Sequence, residues 1–127
     1  MRGPVSKQQS ILVVEDELLV ARDIQLALRG AGYAVIGPVR SEPDALALLS
    51  QSRPDAAVLD LKLQGARSLA ILDALVEQAI PFCITTGYTQ ALIPPSHRWR
   101  PCMLKPFQPA EVVAQVEELL RGPRYPA

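Results

Sequence analysis

Ile11-Leu12-Val13-Val14-Glu15-Asp16 is a strand-sized apolar run that stops on two carboxylates, and the same pattern returns three times along the chain. Ala56-Ala57-Val58-Leu59 runs into Asp60, Phe82-Cys83-Ile84-Thr85 into Thr86, and Pro101-Cys102-Met103-Leu104 into Lys105. One polar residue after an apolar run is ordinary. Taken alone, Glu15, Asp16 and Glu17 read as an acidic first turn that steadies a helix N-terminus by about 0.3–1 kcal/mol per charge. Four endings suited to metal or phosphate chemistry argue instead for one shared site, because in an open parallel α/β sheet ligands bind outside the carboxyl ends of the strands.

The stretches between these runs have helical spacing. Leu18, Leu19, Ala21, Ile24, Leu26, Ala27 and Leu28 form an amphipathic pattern that Gly30 and Gly32 stop. Residues 33–39 read as a second strand. Ser41 offers an N-cap ahead of Pro43, and Ala45, Leu46, Leu48 and Leu49 supply the apolar face of a second helix. Ser68 is placed to cap a third helix carrying Leu69, Ile71, Leu72, Leu75 and Val76. Residues 108–121 give a last helix, with Val112, Val113, Val116, Leu119 and Leu120 on one side and Gly122-Pro123 as its stop. Strands alternating with helices, joined by right-handed crossovers, specify an α/β fold. The expected architecture is a flavodoxin-like three-layer αβα sandwich around a five-stranded parallel sheet of order 2-1-3-4-5. Residues 1–9 read as a flexible tail, 10–122 as the single domain and 123–127 as a C-terminal tail.

Composition narrows the function. Thirteen basic and thirteen acidic residues cancel, so the chain lacks the broad positive field that nucleic-acid or anionic-membrane binding uses. Its apolar runs fall far short of the ~20 residues that span a bilayer, and no small-residue cleavage site follows a charged apolar leader. The reading is a soluble cytoplasmic protein. Cys83 and Cys102 lie inside apolar runs and read as buried reduced thiols, not as a disulfide or a metal pair.

In the order 2-1-3-4-5 the first and third strands are neighbours, so Glu15, Asp16 and Asp60 converge at the switch point. Carboxylates that close stay ionised together only with a cation, and an all-oxygen donor set selects a hard ion such as Mg²⁺. Lys105 brings a positive point charge to the same crevice and Thr86 a short hydroxyl. Asp60 is then placed for nucleophilic attack on phosphorus.

Val14-Glu15-Asp16-Glu17, Asp60-Leu61-Lys62-Leu63-Gln64-Gly65, Thr86-Gly87-Tyr88 and Lys105-Pro106-Phe107 together resemble the receiver domain of two-component response regulators, over residues 10–121. The resemblance implies that Asp60 accepts a phosphoryl group from a histidine kinase or phosphotransfer protein. It implies that Glu15, Asp16, Asp60 and the backbone carbonyl of Lys62 hold Mg²⁺, that Thr86 and Lys105 contact the phosphoryl oxygens, and that Lys105-Pro106 is a cis peptide. With no output segment after Arg121, signalling would run by docking to other proteins. Tyr88 and Lys62 occupy positions that in receivers tune access of water to the acyl phosphate.

Two departures bear on mechanism. Cys102 stands where many receivers carry an aromatic switch residue, and residues 88–100 contain Pro94-Pro95, which bars a regular helix. Helix four of the family is therefore expected to be short or irregular, and this segment to form a partner surface. His97-Arg98-Trp99-Arg100 reads as a solvated basic loop anchored by Trp99. The same features resemble a subgroup of stand-alone receivers with a Phe-Ala-Thr-Gly-type motif, often associated with HWE-type kinases. A phosphatase of the haloacid-dehalogenase type is disfavoured because Lys62 takes the place of its second aspartate, and a flavodoxin-like cofactor binder because Glu15-Asp16-Glu17 would repel phosphate. The alternative that stands is a receiver-fold binding module whose recognition does not depend on phosphorylation.

Overall fold

The computed structural model describes residues 8–87 and 93–122. Among these residues are seven strands, β1 (Ser10–Val14), β2 (Ala34–Val39), β3 (Ala56–Asp60), β4 (Lys62–Leu63), β5 (Ala66–Arg67), β6 (Phe82–Thr86) and β7 (Cys102–Leu104), and the helices α1 (Leu18–Gly30), α2 (Glu42–Gln51), α3 (Leu69–Glu77) and α4 (Pro109–Leu120). The main sheet has the order β2-β1-β3-β6-β7, with every pair parallel. Setting aside the small antiparallel β4-β5 ribbon, this is the expected 2-1-3-4-5 arrangement.

Helices on both faces explain why the central strands read as continuous apolar runs instead of alternating ones. Leu12, Val14, Ala57, Leu59, Phe82 and Ile84 point to the layer of α2 and α3, where Leu49, Ile71, Leu72 and Leu75 meet them. Ile11, Val13, Ala56, Val58 and Cys83 point to α1 and α4, against Ile24, Leu28, Val112 and Val116. The two cysteines therefore belong to opposite faces. Cys83 is a free buried thiol whose pKa burial pushes up to about 12, whereas Cys102 is free but only partly buried.

Local chemistry sets the helix ends. The Ser41 hydroxyl accepts the Asp44 N–H (3.3 Å) at the start of α2, and Gln108 with Glu111 forms a reciprocal capping box on α4. Ser68 departs from the expected cap. Its buried hydroxyl donates to the carbonyl of Asp60 (2.8 Å), with that of Leu61 at 2.9 Å, because a hydroxyl enclosed beyond the end of β3 must take the acceptors that the strand leaves free. Gln9 is tied in at the other end of the sheet, its carbonyl accepting the Ala34 N–H (2.9 Å). In β2, the Gly37-Pro38 peptide is cis and Gly37 has φ +93°, where the register with β1 shifts.

Between β6 and β7 the described residues form only a turn of 3₁₀ helix, Pro95–His97, as the adjacent prolines require. Trp99 is 40% exposed, with the Arg100 guanidinium 4.3 Å from its ring centre. Ile93 is buried in the core, and the Arg100 guanidinium lies 4.2 Å from the ring centre of the enclosed Phe82. The guanidinium lies over the faces of both the Phe82 and Trp99 rings, while the indole N–H donates to the Ser96 carbonyl (2.9 Å). Residues 1–7, 88–92 and 123–127, and with them Tyr88 and most of both expected tails, lie outside the described residues.

Candidate functional site

The carboxyl ends of the strands deliver the site. β1 runs into Glu15 and Asp16, and its neighbour β3 ends on Asp60, so the sheet register brings the three side chains together. Each offers a carboxylate oxygen, and these lie within 4.8 Å of one another. Glu15 and Asp60 are buried, at 1% and 4% exposure. Lys105 follows β7 across the sheet, its N–H fixed to the Thr86 carbonyl (2.8 Å) and its peptide to Pro106 cis. The Lys105 ammonium stands 2.8 Å from Glu15, 2.7 Å from Glu17 and 3.1 Å from Asp60.

Backbone donors hold the acids in place. The Lys62 N–H reaches Asp60 Oδ1 (3.2 Å), the Gln64 N–H reaches Asp16 Oδ2 (2.8 Å), and the Glu17 N–H reaches Glu15 Oε2 (3.1 Å). The turn between β4 and β5, with Gln64 at φ +50° and Gly65 at φ +85°, aims the Gln64 amide at Asp16. A crevice of about 530 Å³ opens over this floor, lined by Asp16, Glu17, Asp60, Lys62, Gly65, Gly87 and Lys105. Thr86 is buried at the end of β6, beside Gly87 of the lining.

Charge crowding is visible in the ionisation. Burial, and then the hydrogen bond with Asp60, push the Glu15 carboxyl up to about 7, against the pull of Lys105. For Lys105 burial favours the neutral amine, but Glu15, Glu17 and Asp60 outweigh it and raise the pKa above the ordinary lysine value. Glu15, Asp16 and Asp60 form an all-oxygen donor set that fits a hard divalent cation. Glu17, which the sequence places in an acidic first turn and not among the site residues, makes the shortest contact with Lys105. Its only signal was its place directly after Glu15-Asp16 on the turn into α1.

A family model described as the response regulator receiver domain matches residues 11–117. The phyllosphere-induced regulator PhyR of Methylorubrum extorquens is 36% identical over 115 residues, covering 87% of this chain and 43% of that protein. The DNA-binding response regulator MtrA of Mycobacterium tuberculosis is 32% identical over 120 residues, covering 90% of this chain and 51% of its own length. The chain thus spans about half the length of these curated relatives. Among solved structures, SdrG from Sphingomonas melonis Fr1 superposes with a TM-score of 0.80 at 33% identity, covering 91% of this chain and 99% of that one.

Proposed function

The chain belongs to the response regulator receiver domain family, and from that premise we propose that it is a phosphoacceptor that takes a phosphoryl group onto Asp60 from a histidine kinase or phosphotransfer protein. The observation that supports this most is the Asp60 carboxylate, buried among Glu15 and Asp16 yet 3.1 Å from the Lys105 ammonium and open to a crevice. One carboxylate oxygen attacks phosphorus, the bond from phosphorus to the donor imidazole nitrogen breaks, and the imidazole leaves with the electron pair. Lys105 neutralises charge on the transferring group. Glu15, Asp16, Asp60 and the Lys62 carbonyl would hold Mg²⁺. Bound there, the ion supplies further charge neutralisation to the phosphoryl oxygens.

Phosphorylation of Asp60 redistributes the contacts of Lys105. A phosphoryl dianion competes with the exposed Glu17 for the ammonium, while buried Glu15 keeps its place beside it. Thr86, at the end of β6, lies two residues before the segment that would report the change. Cys102 lacks the ring of an aromatic switch, so the response rests on Thr86 and residues 88–100. The output is docking to a downstream protein in a soluble, cytoplasmic setting, without nucleic-acid or membrane contact by this domain.

Intact-mass spectrometry with Mg²⁺ and acetyl phosphate, run beside Asp60→Asn, tests the proposal. One hydroxylamine-labile phosphoryl group on the wild type and none on Asp60→Asn is the expected result. No addition to either protein, where a control receiver is modified, would favour the phosphorylation-independent binding module.

A further inference from the structure

Three of the exposed large apolar side chains lie on α1, with Leu18, Leu19 and Leu26 exposed to 64%, 78% and 55%. Together with Arg22, Arg29 and Arg40 they border a groove of about 550 Å³ between α1 and the end of β2, whose lining holds no carboxylate. Asp23, the one acid of α1, lines a separate groove on the other side of the helix, with Lys105 and Phe107. Among the described residues none of these three arginines forms an ion pair.

α3 carries the complement on the opposite face of the sheet. Leu69, Asp73, Val76 and Glu77 are all exposed, and their spacing of four, three and one residues makes a single stripe along the helix. No basic residue interrupts α3, and among the described residues neither Asp73 nor Glu77 has an ion-pair partner. A chain of zero net charge thus segregates a leucine-and-arginine face from an apolar acidic one.

We propose that the α1 face of one copy docks on the α3 face of a second copy, apolar side chains against each other and arginines against Asp73 and Glu77. The two faces lie on opposite sides of the sheet, so the contact is heterologous. Each added copy leaves one α1 face and one α3 face free, and association continues into open chains. Two single helix faces bury less than the roughly 1,200 Å² of a stable complex, so assembly is weak, concentration-dependent and sensitive to salt.

Sedimentation velocity from micromolar to millimolar protein tests this. The wild type should sediment faster as concentration rises and lose that dependence in high salt. Arg22→Glu with Arg29→Glu, and separately Asp73→Arg with Glu77→Arg, should each sediment as monomers with unchanged circular dichroism, and an equimolar mixture of the two should associate again. A wild type that stays monomeric, association that persists in either variant pair, or a mixture that stays monomeric would overturn the proposal. So would a monomeric wild type that co-sediments with anionic phospholipid vesicles, which would give the α1 face to a membrane. Asp60→Asn should associate like the wild type, so failure of the phosphoacceptor reading leaves this result untouched.

Discussion

At the scale of single residues, Glu15 carries the cost of assembling the site. Its folded-state carboxyl is raised from 4.5 to about 7, so between those values the metal-free native state binds more protons than the unfolded chain. Stability from this group is complete below about pH 4.5 and is lost as pH rises through 7. Lys105, raised above its ordinary value, stays charged throughout and adds no slope there. Urea unfolding of the metal-free protein should therefore show a loss of roughly 1–3 kcal/mol from pH 4.5 to 7.5, and Glu15→Gln should flatten it. Ser68→Ala removes a buried hydroxyl from the carbonyls of Asp60 and Leu61. It should cost about 1–3 kcal/mol, read as a lower urea midpoint at unchanged slope. Glu15, Asp16, Asp60 and Lys105 could be picked out in the sequence because each interrupts an apolar run at its end. The role of Ser68 could not, since capping preference is a property of neighbours in sequence while its acceptors come from the fold.

At the scale of elements, the helices and the five sheet strands were legible because period and punctuation agree, as in α2, where Ser41, Pro43 and four apolar residues all say the same thing. β2 hid more. Its run of residues 33–39 reads as an ordinary strand, but Gly37 sits at φ +93° and a Cβ there would stand 2.6 Å from the Val39 nitrogen and 3.0 Å from the Val13 carbonyl. That close approach depends on the register with β1, which no local pattern records. Gly37→Ala should destabilise the domain by at least about 2 kcal/mol. Gly30→Ala, at the end of α1 where an added Cβ meets nothing within 4 Å, should be neutral or stabilising by up to about 1 kcal/mol. Thermal melts of the two variants side by side check both signs. The β4-β5 ribbon leaves no periodic signal in the sequence, because two-residue strands are too short for alternation to show. Its consequence is functional, since the ribbon turn supplies the Gln64 amide to Asp16.

At the scale of the whole molecule, the strand order turns sequence-distant acids into one electrostatic unit, and that unit couples ion binding to folding. An unfolded chain does not hold Glu15, Asp16 and Asp60 within 4.8 Å of one another, so an ion bound at the proposed Mg²⁺ site stabilises the native state by mass action. The gain is about 2.7 kcal/mol at a concentration 100 times the dissociation constant, a rise of several degrees in Tm. The same linkage fixes its pH dependence. A protonated Glu15 is a poor ligand, so the shift in Tm produced by Mg²⁺ should be small near pH 5 and grow as pH passes through about 7. Metal thus restores at neutral pH the stability that the metal-free protein loses over that range. Differential scanning fluorimetry with and without millimolar Mg²⁺ across pH 5–8 measures the coupling. In Glu15→Gln the shift should shrink and lose its pH dependence together, because one carboxylate is responsible for both. A Mg²⁺-induced shift that is the same at every pH in the wild type would remove Glu15 from the ligand set and leave its raised pKa a consequence of burial alone.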